Sequence, residues 1–460
     1  MKDVSKQGFI RSCLAICLAT ACTLHLCFAA PKPNILYILA DDLGYADLGV
    51  HGCKQYKTPN IDSIFEGGVR FEQGYVSNSV CAPSRAGLLT GRFGSRFGFE
   101  ANLPHKLSSK PGSTIGLDPK EKTIADVLKP AGYSSYCLGK WHLGDNPDLF
   151  HPNKRGFDHF FGLMGGSRSY FKIEFDPIKS LQHNGEFIEE QDGMYMTDLL
   201  TDKAIEFIEA ESRSETPFFM YLSYTAPHGP MDAKEEYLER LQHIKSEKRR
   251  AYAGMMLSLD DNVGRVLDRL DELGLKENTL IVFMSDNGGP VAHNGSWNGS
   301  LRGKIGTLFE GGVRVPFGIQ WQGQIPAAQV QDEKVISVDL LPTFVKMAGL
   351  SLDGIKTDGV DLMPLLKNEV ESLGERSFYW RRGQTTQVGM IEGKYKYMQN
   401  RNKSVDYLYN LEEDRSEKEN LAQSRPELLS RMKSQYKKWE QGVPKPAFAS
   451  GFKAKKNKGH

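Results

Sequence analysis

Asn34-Ile35-Leu36-Tyr37-Ile38-Leu39-Ala40-Asp41-Asp42 is a short, almost continuously apolar run that stops on two carboxylates. A strand with one face in water alternates polar and apolar residues. A run apolar on both faces suits the centre of a parallel sheet covered by helices on either side. The two aspartates follow at its carboxyl end, the edge where open α/β sheets place ligands. Gly44, Gly49 and Gly52 then mark a turning loop.

The same arrangement recurs along the chain. Residues 133–139 read as a short strand ending just before Lys140-Trp141-His142. Residues 217–225 form an aromatic-rich strand with Ala226-Pro227-His228 at its exit, and 279–285 a buried strand that ends on Asp286-Asn287-Gly288-Gly289. Helices are expected over 82–90, with Pro83 in the first turn, over 122–131, with Thr123 as cap, and over 199–210 and 252–273. Strands alternating with helices predict an α/β fold with a mostly parallel sheet. Residues 335–347 give a strand or turn followed by a helix. Beyond Gly374 the character changes: 377–381, 387–392, 394–399 and 406–410 look like antiparallel strands, and 426–439 like a terminal helix. The expected organisation is a large α/β domain over 30–350, a smaller α+β domain over 351–445, and a basic, disordered tail over 446–460.

The 460 residues, 40% of them apolar, are enough for a substantial core, and 46 glycines suit many tight loops. A formal net charge of +1 gives no case for general nucleic-acid binding, although a polyanion needs only a local basic patch. Lys2, Lys6 and Arg11 precede a mostly apolar stretch over 12–28 and then Ala29-Ala30-Pro31. That pattern predicts a signal peptide over 1–29, and nothing later is long and apolar enough to span a bilayer. Four of the seven cysteines fall in that segment. Cys53, Cys81 and Cys137 remain, too few for a disulfide framework; Cys53 and Cys137 either pair or stay as buried thiols.

An aspartate pair after a strand is ordinarily a cap or a turn, and a single histidine ordinarily a packing or surface residue. Four strand exits carrying such groups in one fold point instead to a site. Asp41, Asp42, Asp286 and Asn287 offer only oxygen ligands, which suits calcium or magnesium and not zinc. Lys140, Lys304, Arg85 and Arg302 are cations fit to surround an anion. Lys140 and His142, two apart, share a side if the segment is extended. The residues thus support metal-assisted hydrolysis of an anionic ester.

Cys81-Ala82-Pro83-Ser84-Arg85, continuing through Leu89-Thr90-Gly91-Arg92, closely resembles the signature of formylglycine-dependent (type I) sulfatases. Asp41-Asp42-Leu43-Gly44, Thr58-Pro59-Asn60-Ile61-Asp62, Gly139-Lys140-Trp141-His142-Leu143-Gly144, Ala226-Pro227-His228, Ser285-Asp286-Asn287-Gly288 and Arg302-Gly303-Lys304 resemble further landmarks of that family, in its order. The resemblance covers roughly residues 32–440. It implies an alkaline-phosphatase-like sulfatase fold: a large mixed, mostly parallel sheet flanked by helices, with a smaller C-terminal domain containing an antiparallel sheet.

The resemblance also implies roles. Asp41, Asp42, Asp286, Asn287 and a formylglycine made from Cys81 are the expected ligands of one calcium ion. Arg85 steadies residue 81, Lys140 and Lys304 bind sulfate, His228 protonates the departing alcohol, and His142 is the later base. One hydroxyl of the hydrated aldehyde attacks sulfur while Asp286 takes its proton, giving a covalent sulfo-enzyme; the second hydroxyl then expels sulfate. A formylglycine-generating or anaerobic sulfatase-maturing enzyme is the implied partner. The expected substrate is a sulfated carbohydrate, a galactan such as carrageenan, met by a bacterial periplasmic or secreted enzyme. Asn102, His105, Arg168, His293, Trp297 and Arg302 are candidate sugar contacts. The alternatives are a glycosaminoglycan or aryl sulfatase, a related phosphatase or phosphonate hydrolase, and a non-enzymatic binder of sulfated glycan.

Overall fold

The computed structural model describes residues 32–214, 216–382 and 387–448; the expected signal segment and the tail from residue 449 lie outside the described residues. Among the described residues, ten strands form one mixed sheet. Its centre is five parallel strands in the order Thr279–Ser285, Asn34–Ala40, Phe218–Ser223, Ser134–Lys140 and His159–Leu163. Phe317–Gln320 joins antiparallel to Thr279–Ser285, which makes the sheet mixed.

The two-sided burial expected of the first strand is observed. Ile35, Tyr37 and Leu39 enter one core, and Leu36, Ile38 and Ala40 the other. Helices Cys81–Thr90, Ile124–Leu128 and Leu340–Met347 cover the first face; Pro59–Glu66, Met196–Glu211 and Glu247–Glu272 cover the second. Each large aliphatic side chain removed from water there contributes about 1.5–3 kcal/mol. The helix expected over 122–131 is shorter. Thr123 and Asp126 cap it reciprocally, and it tightens into a 3-10 turn over Lys129–Ala131 because Pro130 has no N–H to continue the ladder.

The C-terminal sheet is an antiparallel meander of Ser377–Arg381, Gln387–Glu392, Tyr395–Asn400 and Val405–Asn410. One side sends Phe378, Trp380, Ile391, Met398 and Tyr409 into the first core of the large sheet. The other is covered by helix Pro426–Gln441, through Met432 and Tyr436. The later part of the chain therefore shares a core with the α/β body. Residues 446–448, expected as the start of a disordered tail, pack back: the Ala447 N–H bonds Gly98 O at 2.9 Å and Phe448 meets the Phe99 ring edge-on. Cys53 and Cys137 are both free and buried. They lie in cores on opposite faces of the sheet, so the sheet itself blocks their pairing. Among the described residues, no helix is long and apolar enough to cross a membrane.

Register brings the chemistry together. Ala40 pairs with Ser285, so Asp41 and Asp286 leave the sheet side by side, and the Asp286 N–H bonds Ala40 O at 3.1 Å. Gly139, last but one in its strand, has φ +100°, and a Cβ built on it stands 2.0 Å from Ser223 O. Only glycine lets the strand end in this way and deliver Lys140. Gly139→Ala is expected to cost about 2–4 kcal/mol, from strain and overpacking together. Urea unfolding measures it, and a loss below about 0.5 kcal/mol would show that the strand exit tolerates a side chain.

Candidate functional site

The strand exits converge on Cys81, which opens helix Cys81–Thr90 and is buried. Asn102 Oδ1 accepts the Ala82 N–H at 3.0 Å, satisfying a free donor at the helix start. Asn102 is thus held by the element that carries Cys81. Arg85, one helical turn on, donates through Nε to Asp286 Oδ2 at 2.9 Å, and its Nη2 pairs electrostatically with the same oxygen at 2.9 Å and lies 3.6 Å from Asp41 Oδ1. Its Nη1 bonds Ser223 Oγ and Lys140 O. Lys140 Nζ reaches Asp41 Oδ2 at 2.6 Å. Asn287 Nδ2 donates to Asp42 Oδ1 at 2.6 Å.

Asp41, Asp42 and Asp286 each place a carboxylate oxygen within 4.8 Å of the others, and all three are buried. Arg85 and Lys140 are two cations against three carboxylates. Burial and the Asp41 charge raise the Asp286 pKa above the usual carboxylate range, against the pull of Arg85 and Lys140. Burial likewise raises Asp42, against the pull of His228. Asp41 Oδ1 and Asn287 Oδ1 are buried without a hydrogen-bond partner among the described residues. Oxygen donors left unused beside surplus negative charge fit a hard divalent cation.

Three groups ring this centre. His228 Nε2 lies 3.6 Å from Asp42 Oδ2, while its Nδ1 is 2.6 Å from Gly229 O, which fixes the ring with Nε2 inward. His142 is buried, and burial together with the Lys140 charge lowers its pKa well below the ordinary value. It does not share a side with Lys140 through strand alternation, as an extended segment would require. The strand ends at Lys140, Trp141 is buried, and His142 takes a left-handed φ of 61°. His105 stacks on His142 with ring centroids 5.7 Å apart, held by Asp145 Oδ2 at 3.1 Å.

Lys304 stands on a loop whose Gly306 N–H bonds Ser79 O at 2.7 Å, and it forms no ion pair among the described residues. Glu417, in the C-terminal part, clamps both ends of that loop. Its carboxylate accepts the Glu310 N–H at 2.7 Å, and its carbonyl accepts from Arg302 Nη1 at 2.9 Å. Buried Lys396 bridges Glu310 at 2.7 Å and Glu417 at 3.0 Å. Sequence reasoning missed this cluster because Asp414-Arg415-Ser416-Glu417-Lys418-Glu419 reads as a solvated loop.

The six candidate sugar contacts divide. His105 lies against the centre. His293 and Trp297, the latter 48% exposed, stand on the loop after Asn287. Arg168 is paired at 2.6 Å with Glu190 and bonds three backbone carbonyls of its own loop, so its charge is already matched. Arg302 stacks 4.1 Å over Phe309 and bonds Tyr409 Oη and Glu417 O, tying the Lys304 loop to the C-terminal sheet.

A family model described as Sulfatase matches residues 33–350, and one described as N-sulphoglucosamine sulphohydrolase, C-terminal, matches 306–441. The chain is 35% identical over 389 residues to N-acetylgalactosamine-6-sulfatase of Mus musculus, covering 81% of this chain and 73% of that protein. It is 34% identical over 391 residues to arylsulfatase A of Homo sapiens, covering 79% and 73%. Among solved structures, Ps i-CgsB in complex with k-i-k-neocarrahexaose superposes with a TM-score of 0.84 at 36% identity, over 91% of this chain and 95% of that one.

Removing Lys396 leaves Glu310 and Glu417 facing each other in the interior. Lys396→Met is expected to destabilise the fold by about 3–5 kcal/mol, the usual cost of an uncompensated buried charge. Chemical denaturation reads this; stability unchanged within about 0.5 kcal/mol would show that the cluster does not fasten the C-terminal sheet.

Proposed function

The chain belongs to the sulfatase family and is a sulfuric ester hydrolase; from that premise we propose that it removes a sulfate ester from a galactose-type residue of an external glycan such as carrageenan, using a formylglycine made from Cys81. The observation that carries this reading is the convergence of Cys81, three buried aspartates, Arg85 and Lys140 at in-register strand ends. Burial, with the aspartates adding to it, pushes the Cys81 thiol pKa well above its ordinary value. A thiol so placed is a poor thiolate nucleophile, which supports a modified residue at this position. Formylglycine supplies a hydrated aldehyde, with one hydroxyl to attack sulfur and a second whose proton loss releases sulfate.

Asp41, Asp42, Asp286, Asn287 and residue 81 would hold one calcium ion, which supplies stabilisation of negative charge on the ester oxygens. The remaining work falls to side chains. Lys140 and Lys304 anchor the sulfate. Arg85 fixes Asp286 and Asp41 relative to residue 81. Asp286 takes the proton of the attacking hydroxyl. His228, its Nε2 turned inward, gives a proton to the leaving oxygen. His142, its pKa lowered, is neutral at pH 7, the form that accepts a proton when sulfate is released.

Two relatives support the galactose-type substrate: one named for N-acetylgalactosamine, the other holding a neocarrahexaose. His105, beside His142, and His293 and Trp297, on the loop after Asn287, are the proposed sugar contacts. The apolar segment before residue 30 supports export to the periplasm or beyond, and a maturation enzyme would meet Cys81 before or during that transit.

The test of this reading is mass and rate together. Conversion of Cys81 lowers the residue mass by about 18 Da, as the exchanged atoms require, and the release of sulfate should scale with the converted fraction. Full activity in protein whose residue 81 is entirely cysteine would remove the mechanism. A panel of sulfated sugars tests the substrate; turnover confined to glucosamine or iduronate sulfates would reject the galactose-type proposal and leave the hydrolase.

Calcium binding should itself depend on pH. Asp286 holds its proton up to about pH 6 when no cation is present. A cation must displace that proton, so affinity is expected to fall as pH drops below about 6 and to level off above it. Calorimetry in buffers of different ionisation enthalpy reads the proton release directly. Calcium affinity independent of pH between about 4.5 and 7 would remove Asp286 from the ligand set.

A further inference from the structure

Arg381 and Arg382 are consecutive, and their side chains have opposite fates. The Arg381 guanidinium is buried and saturated by Glu100, Pro444 O and Glu440. The next residue points the other way, as alternation at a strand end requires. Arg382 Nη2 lies 3.3 Å, and its Cζ 3.6 Å, from the point a Cβ on Gly306 would occupy, and Val80 Cγ1 is 3.8 Å from the same point. Val80 precedes Cys81, and Gly306 is two residues from Lys304. A cation from the C-terminal sheet therefore stands at the margin of the centre, against the two segments that present residue 81 and the Lys304 ammonium.

Among the described residues this guanidinium has no acidic partner. Among the described residues it makes no ion pair, side-chain hydrogen bond or aromatic stack, and the neighbouring residues 383–386 read Gly-Gln-Thr-Thr, without an acid. Burial lowers its pKa, with no carboxylate to oppose the effect. Drawing a guanidinium partly out of water without an anion is costly, so the arrangement fits an anion that arrives from outside. Lys140 and Lys304 already address the scissile ester, which bears one negative charge.

We infer that Arg382 binds a second anionic group of the substrate, a sulfate or carboxylate on the same or the adjoining sugar, and so selects multiply charged glycans. This rests on the reading of Lys304 and residue 81 given above. A planar guanidinium accepts such a group through two parallel hydrogen bonds.

The experiment compares wild type with Arg382→Gln on three substrates: 4-nitrophenyl sulfate, a galactose disaccharide with one sulfate, and the same disaccharide with two. For the doubly sulfated sugar, kcat/KM is expected to fall about ten- to a hundredfold, chiefly through KM. The other two should be unchanged, and Arg382→Lys should recover part of the loss. Equal losses on all three would make Arg382 part of the common centre and overturn the inference. So would an absence of loss on the doubly sulfated sugar, or a wild type with no preference for the second sulfate. Calorimetric affinity for the two disaccharides, measured on the same proteins, separates the failures. A wild type that releases no sulfate yet loses affinity for the doubly sulfated sugar on Arg382→Gln would sink the proposed reaction and keep the anion site.

Discussion

Three carboxylates buried within a few ångströms of one another are the constraint around which this molecule is arranged. Such a cluster is unstable by itself, because each charge raises the cost of the next and burial raises all of them. Arg85 and Lys140 answer part of the repulsion, and both must be fully buried to do so. That requirement reaches outward. Arg85 needs a helix packed squarely on the sheet, and Lys140 needs a strand end shaped by Gly139. The unused oxygens of Asp41 and Asn287 mark where the remaining imbalance is to be met. The centre is thus held under electrostatic tension by the scaffold, with more buried negative charge than Arg85 and Lys140 answer.

The C-terminal sheet is more than an appendage to this arrangement. It shares a core with the large sheet through Trp380 and Tyr409, and the Trp380 indole N–H bonds Val76 O in the segment leading to Cys81. Lys396 and Glu417 hold the base of the Lys304 loop. The geometry of the Lys304 loop therefore depends on contacts with segments 86 to 115 residues away, and damage to the later sheet would be felt at the loop before it was felt in the parallel strands. The same sheet ends on two arginines of different fate: Arg381 is spent on Glu100, and Arg382 meets no acid among the described residues.

Local sequence determined a good deal here. A short run apolar on both faces suits the middle of a covered sheet, and Asn34–Ala40, Phe218–Ser223 and Thr279–Ser285 take that place. The all-oxygen composition at Asp41, Asp42, Asp286 and Asn287 already restricted the ion class, since ligand chemistry belongs to residue type and not to position. The Cys81 segment was legible because its spacing is continuous along the chain.

What only the tertiary structure decided is every relation that spans elements. The Ala40–Ser285 register, which sets Asp41 beside Asp286, is a property of two strands, and a one-residue slip would have turned both carboxylates away. His142 reaches the centre through a left-handed backbone that alternation does not foresee. Arg168, Arg302 and Arg382 look alike as letters. Folding gave the first to Glu190 and the second to Phe309, Tyr409 and Glu417, and set the third beside Gly306 with no acid opposite it among the described residues. The charge of a side chain is written in the sequence, but whether that charge is already spent depends on partners that only the fold brings within reach.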